Sequence, residues 1–213
     1  MMWETPNTSV DFCDGSFWGT PDASVDFCED KYTELYWIGE YYNTLSSLLY
    51  ICVGIPFLFT KLSNIAWCVI GIGVGSILLH GTLRWYGQWV DEIFMMVTAF
   101  KTLKYIRPEI RNIYLLLSIT LYIHFSHLYF VFLIIFCVLK VYLVYITFKS
   151  NTIFTKLYIY SFIIGLLCWI LDQLACHWVK SLHLHAWWHV FTSIGILFGL
   201  LELMNKDKYQ VSI

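Results

Sequence analysis

His185 and His189 stand four residues apart in the stretch His185-Ala-Trp-Trp-His189. On a helix this spacing puts both imidazoles on one face, one turn apart, as a pair of metal ligands requires. His80, in a separate apolar segment, is the candidate third nitrogen. Three histidines with one open position is the arrangement of catalytic zinc, which polarises carbonyls and lowers the pKa of bound water to about 7. Asp91 could orient that water or act as its general base. Ser76, one helical turn before His80, could hydrogen-bond the oxyanion formed on an attacked carbonyl.

Each residue also has a plainer use. Ser76 lies beside Gly71, Gly73 and Gly75, small residues that let helices approach closely. Asp91 and Glu92 could be helix N-terminal charges favoured by the dipole. His124, His127, His177 and His183 read as interfacial or solvated. Trp187 and Trp188 suit an interfacial aromatic belt.

The elements that must position these groups follow from composition. Of 213 residues, 59% are hydrophobic and 13% charged, against about 45–50% and about 25% in soluble domains. So little charge cannot cover a water-exposed surface, and an all-α integral membrane protein is expected. A net charge of −2 without a basic stripe argues against nucleic acid as a partner. A hydrocarbon core of about 30 Å needs about 20 helical residues. Apolar segments near 36–60, 64–83, 153–175 and 185–204 meet that need, and a shorter one near 89–105 begins with Asp91 and Glu92. Ile113 to Phe148 would make a helix about 54 Å long, too long for one crossing. His124-Phe-Ser-His127 interrupts it, giving helices near 110–124 and 127–148 and a bundle of seven.

Seven spans place Lys61, Lys101, Lys104, Arg107, Arg111, Lys149, Lys156, Lys206 and Lys208 opposite the N-terminus, with Lys31, Arg84 and Lys180 on its own side. The excess of basic residues marks the cytosolic face, so the N-terminus is expected to be lumenal and the C-terminus cytosolic. Asn7-Thr8-Ser9 is a glycosylation sequon on that lumenal side. In this topology Glu40, Ser76, His80, Asp91, Glu92, Asp172, His185 and His189 gather at one depth in the lumenal half. Ionisable groups inside a bilayer are costly and mark function.

Residues 1–40 hold nine of the fifteen acids and one base, Lys31. The expected organisation is an acidic lumenal segment 1–35, a catalytic membrane domain 36–204 and a short cytosolic tail 205–213. No basic start or apolar core marks the first 34 residues as a signal peptide, so retention is expected. The segment is a tandem repeat, Trp3 to Cys13 and Trp18 to Cys28, whose second copy runs into the first span. Asp26-Phe-Cys-Glu29-Asp30, with Glu40, offers hard oxygen donors of the kind calcium takes, without EF-hand spacing; a solvated acidic tail is the alternative. Cys52, Cys68, Cys137 and Cys168 fall in apolar stretches, whereas Cys13, Cys28 and Cys176 could pair in an oxidising lumen.

Five blocks taken together resemble the alkaline ceramidases, seven-helix zinc amidases related to adiponectin receptors and to a lipase of GPI remodelling. They are Asp26-Phe-Cys-Glu-Asp-Lys-Tyr32, Glu40-Tyr-Tyr-Asn-Thr-Leu-Ser46, Ser76-Ile-Leu-Leu-His80, Leu171-Asp-Gln-Leu-Ala-Cys176 and His185-Ala-Trp-Trp-His189. The resemblance runs from about residue 18 to 204. It implies zinc on His80, His185 and His189, water positioned by Asp91, an oxyanion held by Ser76, and Trp188 lining a lipid pocket. It implies calcium on Asp26, the Phe27 carbonyl, Glu29, position 31 and Glu40, and a disulfide between Cys28 and Cys176. Position 31 departs from the family's usual Asn: Lys31 cannot ligate a cation while charged, leaving Asp30, Asp11 or Asp14 to compensate. The expected substrate is ceramide, a membrane lipid cut by water to fatty acid and a sphingoid base, in the Golgi or endoplasmic reticulum. Two rivals are a GPI or phospholipid ester hydrolase on the same scaffold and a seven-helix receptor with structural zinc. A structural site needs no water-orienting acid, so Asp91 weighs against the receptor.

Overall fold

The computed structural model describes residues 17–148 and 151–210. The first repeat copy, with Asn7, Asp11 and Cys13, and also Asp14 and Lys149, lie outside the described residues. Among the described residues, seven longer α-helices and one short one follow a non-helical segment: α1 Tyr41–Gly54, α2 Ser63–Thr82, α3 Trp85–Ile106, α4 Ile113–His124, α5 Tyr129–Phe148, α6 Ile153–Leu174, α7 Cys176–Val179 and α8 Leu184–Gln210. Stretches within α2, α5, α6 and α8 are long and apolar enough to cross a membrane.

Local chemistry sets the boundaries. Pro108 disfavours helical geometry at Arg107, and α3 stops at Ile106. The Thr152 hydroxyl accepts from the Thr155 amide (3.1 Å) and caps α6. The polar break at 124–127 separates α4 from α5, as the sequence predicts.

α1 starts five residues later than the predicted 36. The preceding backbone is committed elsewhere: Gly39 N donates to Gly81 O (2.9 Å) and Glu40 N to His80 O (2.8 Å). A side chain at Gly39 would stand 2.9 Å from the His80 carbonyl and 2.6 Å from Leu83 Cγ, so this approach needs glycine. The first orphan amides of α1, on Tyr42 and Asn43, donate to the two oxygens of Glu29 (2.7 and 2.9 Å). α3 starts at Trp85, earlier than the predicted 89, which carries Asp91 and Glu92 into its second turn. There they are buried, at 8% and 3% exposed, and the first turn of α3 holds no acid, so the reading as helix N-terminal charges does not hold.

The helices form a ring in the order α1, α2, α3, α5, α6, α8, with α8 packed back on α1 and α4 outside against α3 and α5. Lipid tails are as apolar as leucine, so close backbone approach takes over from hydrophobic collapse as the source of cohesion. The glycines of α2 and α3 provide it. A Cβ on Gly75 would meet Asp91 N at 2.4 Å, and one on Gly87 would meet Leu79 N at 2.5 Å. These contacts press the Ser76–His80 turn of α2 against the Asp91 turn of α3.

Candidate metal centre and its cavity

His80 occupies the last turn of α2; His185 and His189 occupy the first two turns of α8. α2 and α8 both pack on α1, which draws the three imidazoles together. Ring centroids lie 5.0 Å apart for His80 with His185 and with His189, and 4.6 Å apart for His185 with His189. One ligand-type nitrogen from each lies within 4.8 Å of the others, and all three residues are buried.

Two of the rings are oriented from behind. His80 Nδ1 is bonded to Glu40 Oε2 (2.5 Å), and His189 Nδ1 to Ser46 Oγ (2.8 Å). Metal-binding histidines are held in this way, the outer nitrogen fixed so that the inner one faces the ion. His80 Nε2 is buried with no hydrogen-bond partner, and so is His185 Nδ1. Buried orphan nitrogens are costly; a shared cation would give them a partner, and three imidazoles suit zinc.

Asp91 and Ser76 reach the same cavity as His185 and His189. Asp91 Oδ1 is buried without a partner. Ser76 Oγ shares a hydrogen bond with Ser47 Oγ (2.8 Å) and lies 3.5 Å from His189 Nε2. The cavity has a volume of about 120 Å³. Glu92 and Lys140 also reach it, and Phe132, Phe136, Phe162 and Trp188 give it a largely apolar lining. Trp188 is buried at 8% while Trp187 is 49% exposed, so the two indoles divide between cavity and periphery. His124, His127 and His177 are exposed, and His183 stacks on Tyr42 at 4.1 Å.

The donors expected for calcium are arranged differently. Both Glu29 oxygens are occupied by α1 amides. The Lys31 ammonium sits among the rest, donating to the Phe27 carbonyl (2.6 Å) and to Glu40 Oε1 and pairing with Asp26 Oδ1 (2.8 Å). Burial pulls the Lys31 pKa down, but the Glu40 and Asp26 carboxylates more than offset it and hold the group above the ordinary lysine value. Asp30 pairs instead with Lys180. A calcium ion would have to share this cage with the Lys31 ammonium, so the arrangement gives no support to the calcium expectation on Asp26, Phe27, Glu29, Lys31 and Glu40.

Cys28 and Cys176 are disulfide-bonded. Sequence reasoning singled out Asp172 and Glu40 without their partners: Asp172 Oδ2 accepts from Cys28 N (3.2 Å), and Glu40 holds His80. It missed Gln88, whose amide ties Ser24 N (2.7 Å) to Glu92 (2.9 Å). A polar residue one turn before Glu92 was the available signal.

A helical ring around a buried three-histidine cluster, beside a largely apolar cavity, is a membrane-type scaffold with a candidate metal centre. The chain belongs to the ceramidase family: the family model described as Ceramidase matches residues 19–207. It is 27% identical to a putative alkaline ceramidase of Dictyostelium discoideum, over 98% of this chain and 91% of that protein. Alkaline ceramidase 3 of Mus musculus is 26% identical over 99% of this chain and 90% of its own length. Alkaline ceramidase 1 of Homo sapiens is 23% identical, over 94% and 83%. The chain is an enzyme of the hydrolase class, with a candidate metal centre on His80, His185 and His189.

Proposed function

We propose that the chain hydrolyses the amide bond of ceramide, as a seven-span protein with a lumenal N-terminus and the histidine cluster in the lumenal half of the bilayer. The observation that carries this is the continuity of polar cluster and largely apolar lining in one cavity, which lets a lipid present its amide to the histidines while its chain stays in hydrocarbon-like surroundings. Golgi or endoplasmic reticulum membrane is the location the family reading favours.

His80, His185 and His189 would hold zinc, with Glu40 and Ser46 fixing the outer nitrogens of two of them. Zinc, when bound, polarises the amide carbonyl and lowers the pKa of water. Asp91 Oδ1, free of other partners, takes a proton from the attacking water and returns it to the amine nitrogen as the C–N bond breaks. The Ser76 hydroxyl donates to the carbonyl oxygen as negative charge develops there. Trp188 and Phe162 line the path of the chain. Fatty acid and a sphingoid base leave.

The test is turnover of a fluorescent ceramide by purified protein. A strong chelator abolishes turnover and zinc restores it; Asp91→Asn lowers kcat by about 10²–10⁴-fold with ceramide binding retained. Full activity in a folded His189→Ala protein would reject the metal role. Release of lyso-lipid from a GPI or phospholipid ester, with ceramide left intact, would move the substrate to the ester class.

A further inference from the structure

Lys31 stands where the N-terminal segment meets the mouth of α1. An ammonium has three N–H bonds, and here three acceptors surround it: the Phe27 carbonyl, Asp26 Oδ1 and Glu40 Oε1. Two carboxylates and a carbonyl form a hard-oxygen set of the type a divalent cation takes. Its centre is held by a charge that the chain itself carries.

Two branches lead from this ammonium to the histidines. Glu40, whose side chain is 1% exposed, uses its other oxygen on His80 Nδ1 (2.5 Å) and Asn43 Nδ2 (2.9 Å). Phe27, whose carbonyl Lys31 holds, lays its ring over His185 at 3.7 Å and stands 5.0 Å from His80. The cation therefore fixes both the carboxylate behind one candidate ligand and the ring covering another. Without it, Glu40 would be a buried carboxylate with Asp26 as a like-charged neighbour and a weaker hold on His80.

We propose that Lys31 is a tethered cation that replaces a diffusible divalent ion in this cage, positioning Glu40 and Phe27 against the histidine cluster and making the protein indifferent to calcium. Lys31 is a positioning residue and touches no substrate. The inference rests on the reading of His80 as a metal ligand. A tethered ammonium fills the cage at any external ion concentration, and a calcium ion entering beside it would put three positive charges against two negative ones.

The experiment compares wild type with Lys31→Asn, which removes the ammonium and supplies an amide oxygen. Thermal midpoint, zinc retained after dialysis and ceramide turnover are measured in a calcium-selective chelator and in saturating calcium. For wild type all three stay the same in both conditions. For Lys31→Asn, midpoint and zinc retention fall in chelator, the latter by about tenfold or more, and recover on adding calcium. The proposal is overturned by a calcium-dependent rise in the wild-type midpoint or zinc retention, by a Lys31→Asn protein that matches wild type in chelator, or by a deficit that calcium does not reduce, including failure to fold with calcium present. Midpoint and zinc retention need no substrate. A protein that shows the expected calcium pattern yet cleaves no ceramide keeps this inference and sinks the substrate reading.

Discussion

Glu40 concentrates the electrostatics of the site in one carboxylate. It is wholly buried, and its two oxygens face different partners: the Lys31 ammonium on one side, the His80 ring on the other. Glu40→Gln keeps the shape and one acceptor oxygen but removes the charge that orients His80. Outer-shell changes of this kind weaken metal binding by about 10–100-fold, and competition with a graded series of zinc chelators should read that loss while Asn43 and Lys31 remain in place. Unchanged zinc affinity would show that Glu40 only fills space. The histidines themselves were legible because four-residue spacing is a statement about one helix face. Glu40 was singled out but assigned to calcium, because sequence shows which oxygens are present and not which groups face them. Lys31 gave the warning, since its charge could be read without coordinates.

Two close approaches govern the elements. Gly75 and Gly87 let α2 and α3 meet backbone to backbone, with no room for a methyl group on either. Gly75→Ala would thrust a Cβ into the Asp91 backbone and separate Asp91 from Ser76 and His80. Overpacking of this kind costs about 1–3 kcal/mol, and a lowered thermal midpoint with a greater than proportional loss of kcat is expected. Ala at Gly81, whose nearest neighbour is Thr44 Oγ1 at 4.0 Å, should be tolerated far better and serves as the control. Glu29 makes the second point: it caps α1 from outside the helix. Glu29→Ala strands two amides, so stability falls by about 1–3 kcal/mol, and the loss is the same with or without calcium. The apolar runs foretold which segments are helical. They overran the start of α1 because hydropathy cannot register that Gly39 and Glu40 give their amides to the end of α2. They also began α3 late, since Trp85 to Gln88 look like loop to an apolar window although α3 already includes them.

At the scale of the whole molecule, the segment from Phe17 to Glu40 is a strap across one end of the helical ring. It is tied to α2 and α3 through Leu83, Arg84 and Gln88, and to the far side of the ring through Asp172 and the Cys28–Cys176 bridge. That bridge spans 148 residues of sequence, so it joins the segment before α1 directly to the start of α7. Pairwise closure over such a distance leaves no periodic trace, which is why residue patterns left Cys13, Cys28 and Cys176 as alternatives and the family resemblance was needed to choose. Because the strap carries Phe27 over His185 and Lys31 to Glu40, loosening it should act on the site and not only on the fold. Loss of a native disulfide typically costs about 2–5 kcal/mol. Reductant is therefore expected to lower the wild-type thermal midpoint and its turnover together, while the double variant Cys28→Ala, Cys176→Ala starts from the lowered values and does not respond. The free thiols Cys52, Cys68, Cys137 and Cys168 are common to both proteins. A double variant that still responds to reductant would place the sensitivity in another disulfide, formed by these cysteines or by Cys13, and the strap would then be held by its hydrogen bonds and ion pairs alone.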